Sequence, residues 1–110
     1  MDKGYTLHLV MPTVDKPDFD WDDANISHLA KHRVRPPEAE QVIRGSSLTL
    51  GEDDDSGELR QTELGETASG RLLLVAWTWR GRKIRVVTAF PPNREWRRYW
   101  RRMKKGLPNG

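Results

Sequence analysis

The longest nearly unbroken apolar run in the chain is RLLLVAWTW, residues 71–79. A run of that length and β-rich composition predicts a strand covered on both faces. RGRK follows, a turn built around Gly81, and then KIRVVTAF, residues 83–90, predicts a second strand. Strict alternation places Ile84, Val86 and Thr88 on one of its faces and Arg85, Val87 and Ala89 on the other. The pair reads as a β-hairpin, stopped by Pro91 and Pro92. Upstream the pattern is weaker. SSLTL (46–50) predicts a strand, and LRQTELGE (59–66) predicts another with loose alternation. The acidic GEDDDSGE (51–58) between them reads as a turn.

Three stretches carry helical signals. DWDDANISHLAKH predicts a helix over about 22–32, with Asp20 as N-cap and Asp22 and Asp23 at its positive end. Ala24, Ile26, Leu29 and Ala30 would form its apolar stripe. RVRPPEAEQVIRG reads as a turn and a short helix, with Pro37 at the first helical position, Ala39, Val42 and Ile43 on the buried side, and Gly45 ending it. Asn93 can cap a last helix over 94–105. There Trp96, Trp100 and Met103 recur at i, i+4 and i+7 with Tyr99 beside them, and Gly106 and Pro108 terminate the pattern. The expected fold class is α+β: two N-terminal helices, an antiparallel sheet of about four strands and a C-terminal helix. The expected domain spans 19–105, between a loose tail at 1–18, with a short strand at Tyr5–Val10, and a short tail at 106–110.

Composition narrows the function classes. A chain of 110 residues makes one domain. It has no cysteine, so thiolate chemistry and disulfides are excluded. No apolar run approaches a membrane span or a signal-peptide core, so a soluble, cytoplasmic protein with no membrane partner is expected. Residues 94–105, REWRRYWRRMKK, carry seven Arg and Lys against one Glu, a net +6. With a chain total of +3, the other 98 residues carry a net −3. That asymmetry points to a polyanionic partner, a charged protein partner, or both.

His28 and His32 sit four apart and would share a helix face. Leu29 follows His28 where a zinc-protease helix needs Glu, and no third ligand is evident, so no metal site is expected. No nucleophile elbow and no glycine-rich phosphate loop is present. The basic set is richer. Arg80, Arg82, Lys83 and Arg85 of the hairpin and Arg94, Arg97, Arg98, Arg101 and Arg102 of the last helix could in part converge on phosphates, with Trp77, Trp79, Trp96, Tyr99 and Trp100 among them to stack bases or fill the core. RNA cleavage without a metal needs a base for the ribose 2′-hydroxyl, cations for the phosphorane and an acid for the leaving oxygen. His32, Glu58, Glu95, Tyr99 and the arginines offer these groups.

FDWDDANISHLAKHRV followed by PPEAEQVI, then ELRQTELG, GRLLLVAWTWRGRKIRVVTA and REWRRY, resembles in order and spacing the BrnT toxin family over roughly residues 19–100. The resemblance implies a RelE-like fold and a metal-independent endoribonuclease that needs no cofactor. Its implied partners are RNA as substrate and a BrnA-like ribbon-helix-helix antitoxin, which alone would contact operator DNA. Positions matching the family pattern are Trp21, Asp22, Lys31, His32, Glu58, Arg60, Arg80, Arg85, Glu95 and Tyr99. By that likeness Arg60, Arg80 and Arg85 are the phosphate-binding or catalytic candidates, while Glu58 and Glu95 either transfer protons or orient arginines as ion pairs. Lys31, Lys83, Arg97, Arg98 and Arg101 are candidate RNA contacts. Three departures stand out: Arg33 where relatives often have Gly, Asp55 before Ser56 where they often have His-Ser, and Phe90 where they often have Arg. The competing reading is a non-catalytic nucleic-acid-binding or protein-interaction module that uses the basic C-terminal helix.

Overall fold

In a computed structural model, residues 17–55 and 58–106 are described. The expected strand at Tyr5–Val10, His8 and most of both expected tails lie outside them. The chain runs α1 (Asp23–Ala30), α2 (Pro36–Arg44), β1 (Leu48–Asp55), β2 (Glu58–Glu66), β3 (Leu72–Arg80), β4 (Lys83–Phe90), α3 (Arg94–Met103) and a single 3₁₀ turn, Lys104–Gly106. The four strands form one antiparallel sheet in sequence order. The expected α+β architecture is therefore present.

α1 begins later than the sequence suggested. Its N-cap is Asp22, not Asp20: the Asp22 carboxylate accepts from the Asn25 backbone N–H at 3.1 Å, and the Asn25 side chain accepts from the Asp22 N–H at 2.8 Å. Asp20 instead extends a short segment beside β4, where its N–H donates to the Ile84 carbonyl and the Ile84 N–H donates to the Asp18 carbonyl. Of the anticipated stripe only Leu29 is buried. Ile26 is exposed, and the second buried residue is Asn25, which donates to the carbonyls of Asp20 and Val86. The helix ends at Ala30, and Arg33 just beyond it adopts a left-handed φ of 58°.

α2 starts on Pro36, one residue before the expected first position, with the Glu38 side chain accepting from the Arg35 N–H. Arg71 clamps this junction by donating to the Arg33 carbonyl at 2.8 Å and to Glu38 at 3.1 Å. α2 lies close on β2 because Gly65 has no side chain: a Cβ there would stand 2.9 Å from that of Ser47 and 3.2 Å from Val42.

The acidic stretch is not a turn. Glu52 to Asp55 pair with Gln61 to Glu58 in register, so β1 and β2 run on through it. Aspartate and glycine are poor strand formers, but pairing with β2 outweighs propensity here.

One face of the sheet is backed by α1 and α2, through a core of Leu29, Val34, Ala39, Val42, Leu73, Val75, Val86 and Ala89. Ala89 was expected on the opposite face from Val86. Ala76 pairs with Thr88 but Trp77 with Val86, so Val87 is an extra, bulged residue, and the bulge returns Ala89 to the helix-backed side. The other face, called the front here, holds a second cluster in which α3 lays Trp100 on Leu64 and Leu72, with Leu48, Leu50, Leu74, Trp96 and Tyr99 around them. β3 is thus covered on both faces, as its apolar run predicts. At the turn between β3 and β4, Gly81 takes a φ of 63° that other residues adopt only with strain.

Candidate active site on the front of the sheet

Residues directly opposite in an antiparallel pair share a face, so the register lays out the front as rows. Leu64 and Leu74 form the row under α3. The next row crosses all four strands as Gly51, Thr62, Ala76 and Thr88. Every residue in it is small. A Cβ on Gly51 would meet nothing within 4 Å. Beyond it lie Arg60, Thr78 and Arg85, and then Glu58, Arg80 and Lys83. A shallow trough of short side chains is thus bordered by the apolar cover of α3 on one side and by cations from three strands on the other.

Two of these cations, Arg85 and Arg80, are held by carboxylates. The Arg85 side chain is only 15% exposed, with Nη1 and Nη2 each 3.1 Å from an Asp22 oxygen and Nη1 3.5 Å from Asp20. Hydrogen bonding to Asp22 raises the Arg85 pKa further above its ordinary range, and the same guanidinium holds the Asp22 carboxyl below the usual aspartate range. Arg80 donates to Glu58 at 2.9 Å on the exposed rim. Of the two roles considered for Glu58, orienting an arginine is the one this contact serves. Arg60 is half-buried, and the Thr78 hydroxyl beside it donates to the Leu59 carbonyl at 2.7 Å. Fixed guanidinium groups suit a phosphate, whose charge they meet without reorganising.

Four of the seven expected catalytic residues, Glu58, Arg60, Arg80 and Arg85, therefore share this face. His32 is exposed just past α1, with its ring centroid 5.6 Å from that of Phe90, the residue paired with Leu74 at the margin of the trough. Phe90 thus supports the histidine ring. Tyr99 packs edge-on to Trp96 and under the Arg102 guanidinium, within the α3 cluster. Glu95 is exposed in the first turn of α3. Lys31 is exposed at the C-cap of α1, and Lys83 begins β4 opposite Arg80. Arg97, Arg98 and Arg101 are exposed on α3, where Arg98, Arg101, Arg102, Lys104 and Lys105 line an open groove with no acidic residue among them. His32 lies past the end of α1, and its ring centroid is 6.1 Å from that of His28. Among the described residues, no three His, Asp or Glu side chains gather closely enough to hold a metal ion. Sequence reasoning missed the small-residue row and the Asp20–Asp22 brace on Arg85. The row becomes visible only when the strand register is known.

A family model described as ribonuclease toxin, BrnT, of type II toxin–antitoxin system, matches residues 21–95. The chain belongs to the BrnT toxin family. No curated relative matches it. The matched span begins at Trp21 and ends at Glu95, so it takes in α1, α2, the whole sheet and the first turn of α3. Membership in a family of BrnT ribonuclease toxins carries with it an RNA substrate and an antitoxin partner. No helix among the described residues is long and apolar enough to cross a membrane.

Proposed function

We propose that this BrnT family member is a cytoplasmic, metal-independent endoribonuclease that stops translation by cutting RNA, and that its active site is the front trough. The observation that supports this reading most is the row of small residues bordered by Arg60, Arg80 and Arg85. An RNA strand laid over Thr62, Ala76 and Thr88 would present its phosphates to those guanidinium groups. In the proposed step a ribose 2′-oxygen bonds to phosphorus and the bond to the 5′-oxygen breaks, leaving a cyclic phosphate and a 5′-hydroxyl. A base takes the 2′ proton, and an acid returns one to the 5′-oxygen. The arginines hold the phosphorane charge. His32, at the margin of the trough, is the proposed base, because the free nitrogen of a neutral imidazole can accept a proton. The partner is proposed to be a BrnA-like ribbon-helix-helix antitoxin that covers the basic surface and carries the DNA contacts.

The test is RNA integrity. Purified protein is incubated with total RNA in EDTA, beside an Arg80→Ala/Arg85→Ala variant prepared identically. Cleavage by the wild type alone is expected, with cyclic phosphate ends. Equal cleavage by both proteins would move the site elsewhere, and a demand for added metal would end the metal-independent reading.

The cation-only groove on α3 favours a second reading, in which the chain binds nucleic acid without cutting it. That reading expects steeply salt-dependent binding and intact RNA.

A further inference from the structure

Trp79 differs from the other tryptophans. Trp77 and Trp100 are buried and Trp21 and Trp96 half-buried, whereas Trp79 is 49% exposed. It lies near the β3–β4 turn, on the helix-backed face of the sheet. Leu59, also about half exposed, lies one step beyond the last β2–β3 pair, Arg60 and Thr78, on the same side as Trp79.

The ring is nevertheless braced from below. Trp79 meets Trp77 edge to face, with centroids 5.3 Å apart and planes at 83°. The Trp77 indole N–H donates to the buried Glu63 carboxylate at 3.3 Å. The hydroxyls of Ser47 and Thr49 donate to the other Glu63 oxygen at 3.2 and 3.0 Å. Side chains from three strands and the segment before β1 thus fix one aromatic ring at the surface. The adjoining β3–β4 turn carries the exposed cations Arg80, Arg82 and Lys83, with Glu58 paired to Arg80, while on the β4 side the exposed Asp18 accepts from the N–H of Ile84, the residue paired with Trp79.

A rigid, exposed aromatic face beside cations is the arrangement that accepts an unpaired base while its phosphates are neutralised. We propose that Trp79 is a stacking platform for one base of a single-stranded RNA segment, with Arg82 and Lys83 on the adjoining phosphates and Leu59 extending the apolar floor. The strand would pass around the β3–β4 turn, from the arginines on the front to Trp79 on the back. The inference rests on the reading that RNA is the substrate.

The test uses a short single-stranded oligonucleotide with 2′-O-methyl riboses, which cannot be cleaved by 2′ attack, and the same oligonucleotide with one abasic position. Binding is measured for the wild type, Trp79→Phe and Trp79→Ala, with thermal melts to show that each is folded. Trp79→Ala is expected to weaken binding about tenfold or more, and Trp79→Phe to stay near wild type. The abasic change should weaken the wild type and leave Trp79→Ala nearly unaffected. Leu59→Ala should lie between the two variants. Equal affinity of Trp79→Ala and wild type would overturn the inference, while cleavage of total RNA by the wild type would leave the ribonuclease reading standing. A wild type that neither binds nor cuts RNA would remove both. Unchanged RNA binding with lost binding of the co-expressed antitoxin would reassign Trp79 to protein docking.

Discussion

Arg85 on β4 grips the N-cap of α1: its two terminal nitrogens each lie 3.1 Å from an oxygen of Asp22, across 63 residues of sequence. One ion pair therefore ties the start of the first helix to a cation bordering the candidate site. The guanidinium holds the Asp22 carboxyl below its usual range. At Glu38 burial pushes the pKa up, but the Arg35 N–H and the Arg71 guanidinium outweigh it and the net direction is again down. A carboxylate whose folded pKa is depressed adds stability above the ordinary carboxylate range and loses it as the pH falls through that range.

Asp22→Asn keeps a good capping side chain but removes the charge. It is expected to flatten the acid limb of the Tm-against-pH curve by lowering Tm near neutrality while leaving it unchanged in acid, and the drop is small because Asp22 is exposed. Parallel curves for variant and wild type would show that the pair contributes nothing to acid stability.

Arg33 holds a left-handed backbone, with a φ of 58°. The conformation costs a side-chain-bearing residue about 1 kcal/mol, part of which glycine gives back through its freer unfolded chain. Arg33→Gly should therefore stabilise the fold by about 0.5 kcal/mol, read by urea melts. A lower midpoint would mean that the Arg33 side chain makes a contribution larger than the strain.

Ala76 occupies the middle of the small-residue row. Ala76→Phe raises a ring into the trough and should lower RNA cleavage about a hundredfold, the range lost when a positioned phosphate is displaced. Circular dichroism should show the sheet intact. Full activity in the folded variant would exclude the trough as the path of the substrate.

The α3 cations should act through charge alone. Arg98→Gln/Arg101→Gln is expected to lower affinity for RNA of any sequence and to reduce the slope of log K against log salt by roughly one to two. An unaltered slope would mean that RNA does not reach α3.

The parts of the fold legible in the sequence are those with a strong local pattern: the β3–β4 hairpin, with its long apolar run and Gly81, and α3, with its tryptophans at helical spacing. The acidic stretch was misread because its propensity opposes the strand that β2 imposes on it. The face of Ala89 was misread because a bulge at Val87 leaves no mark in an alternating pattern. For the site, the arginines and Glu58 could be named individually. Their common face, the brace on Arg85 and the row of small residues depend on pairing between residues far apart in the chain.

The short segment at Asp18–Asp20, bonded along Ile84, has a consequence for how molecules of this protein meet one another. An open sheet edge is a template for another chain. At β4 part of that template is already occupied by the protein's own backbone. At the opposite edge β1 carries Glu52, Asp53, Asp54 and Asp55 in succession, and like charges would keep a second β1 away. One edge is guarded sterically and the other by charge, so salt, which screens charge, disarms only the second. Association at high salt is then expected to stop at pairs joined through β1 rather than grow into fibres, an outcome that light scattering would distinguish directly.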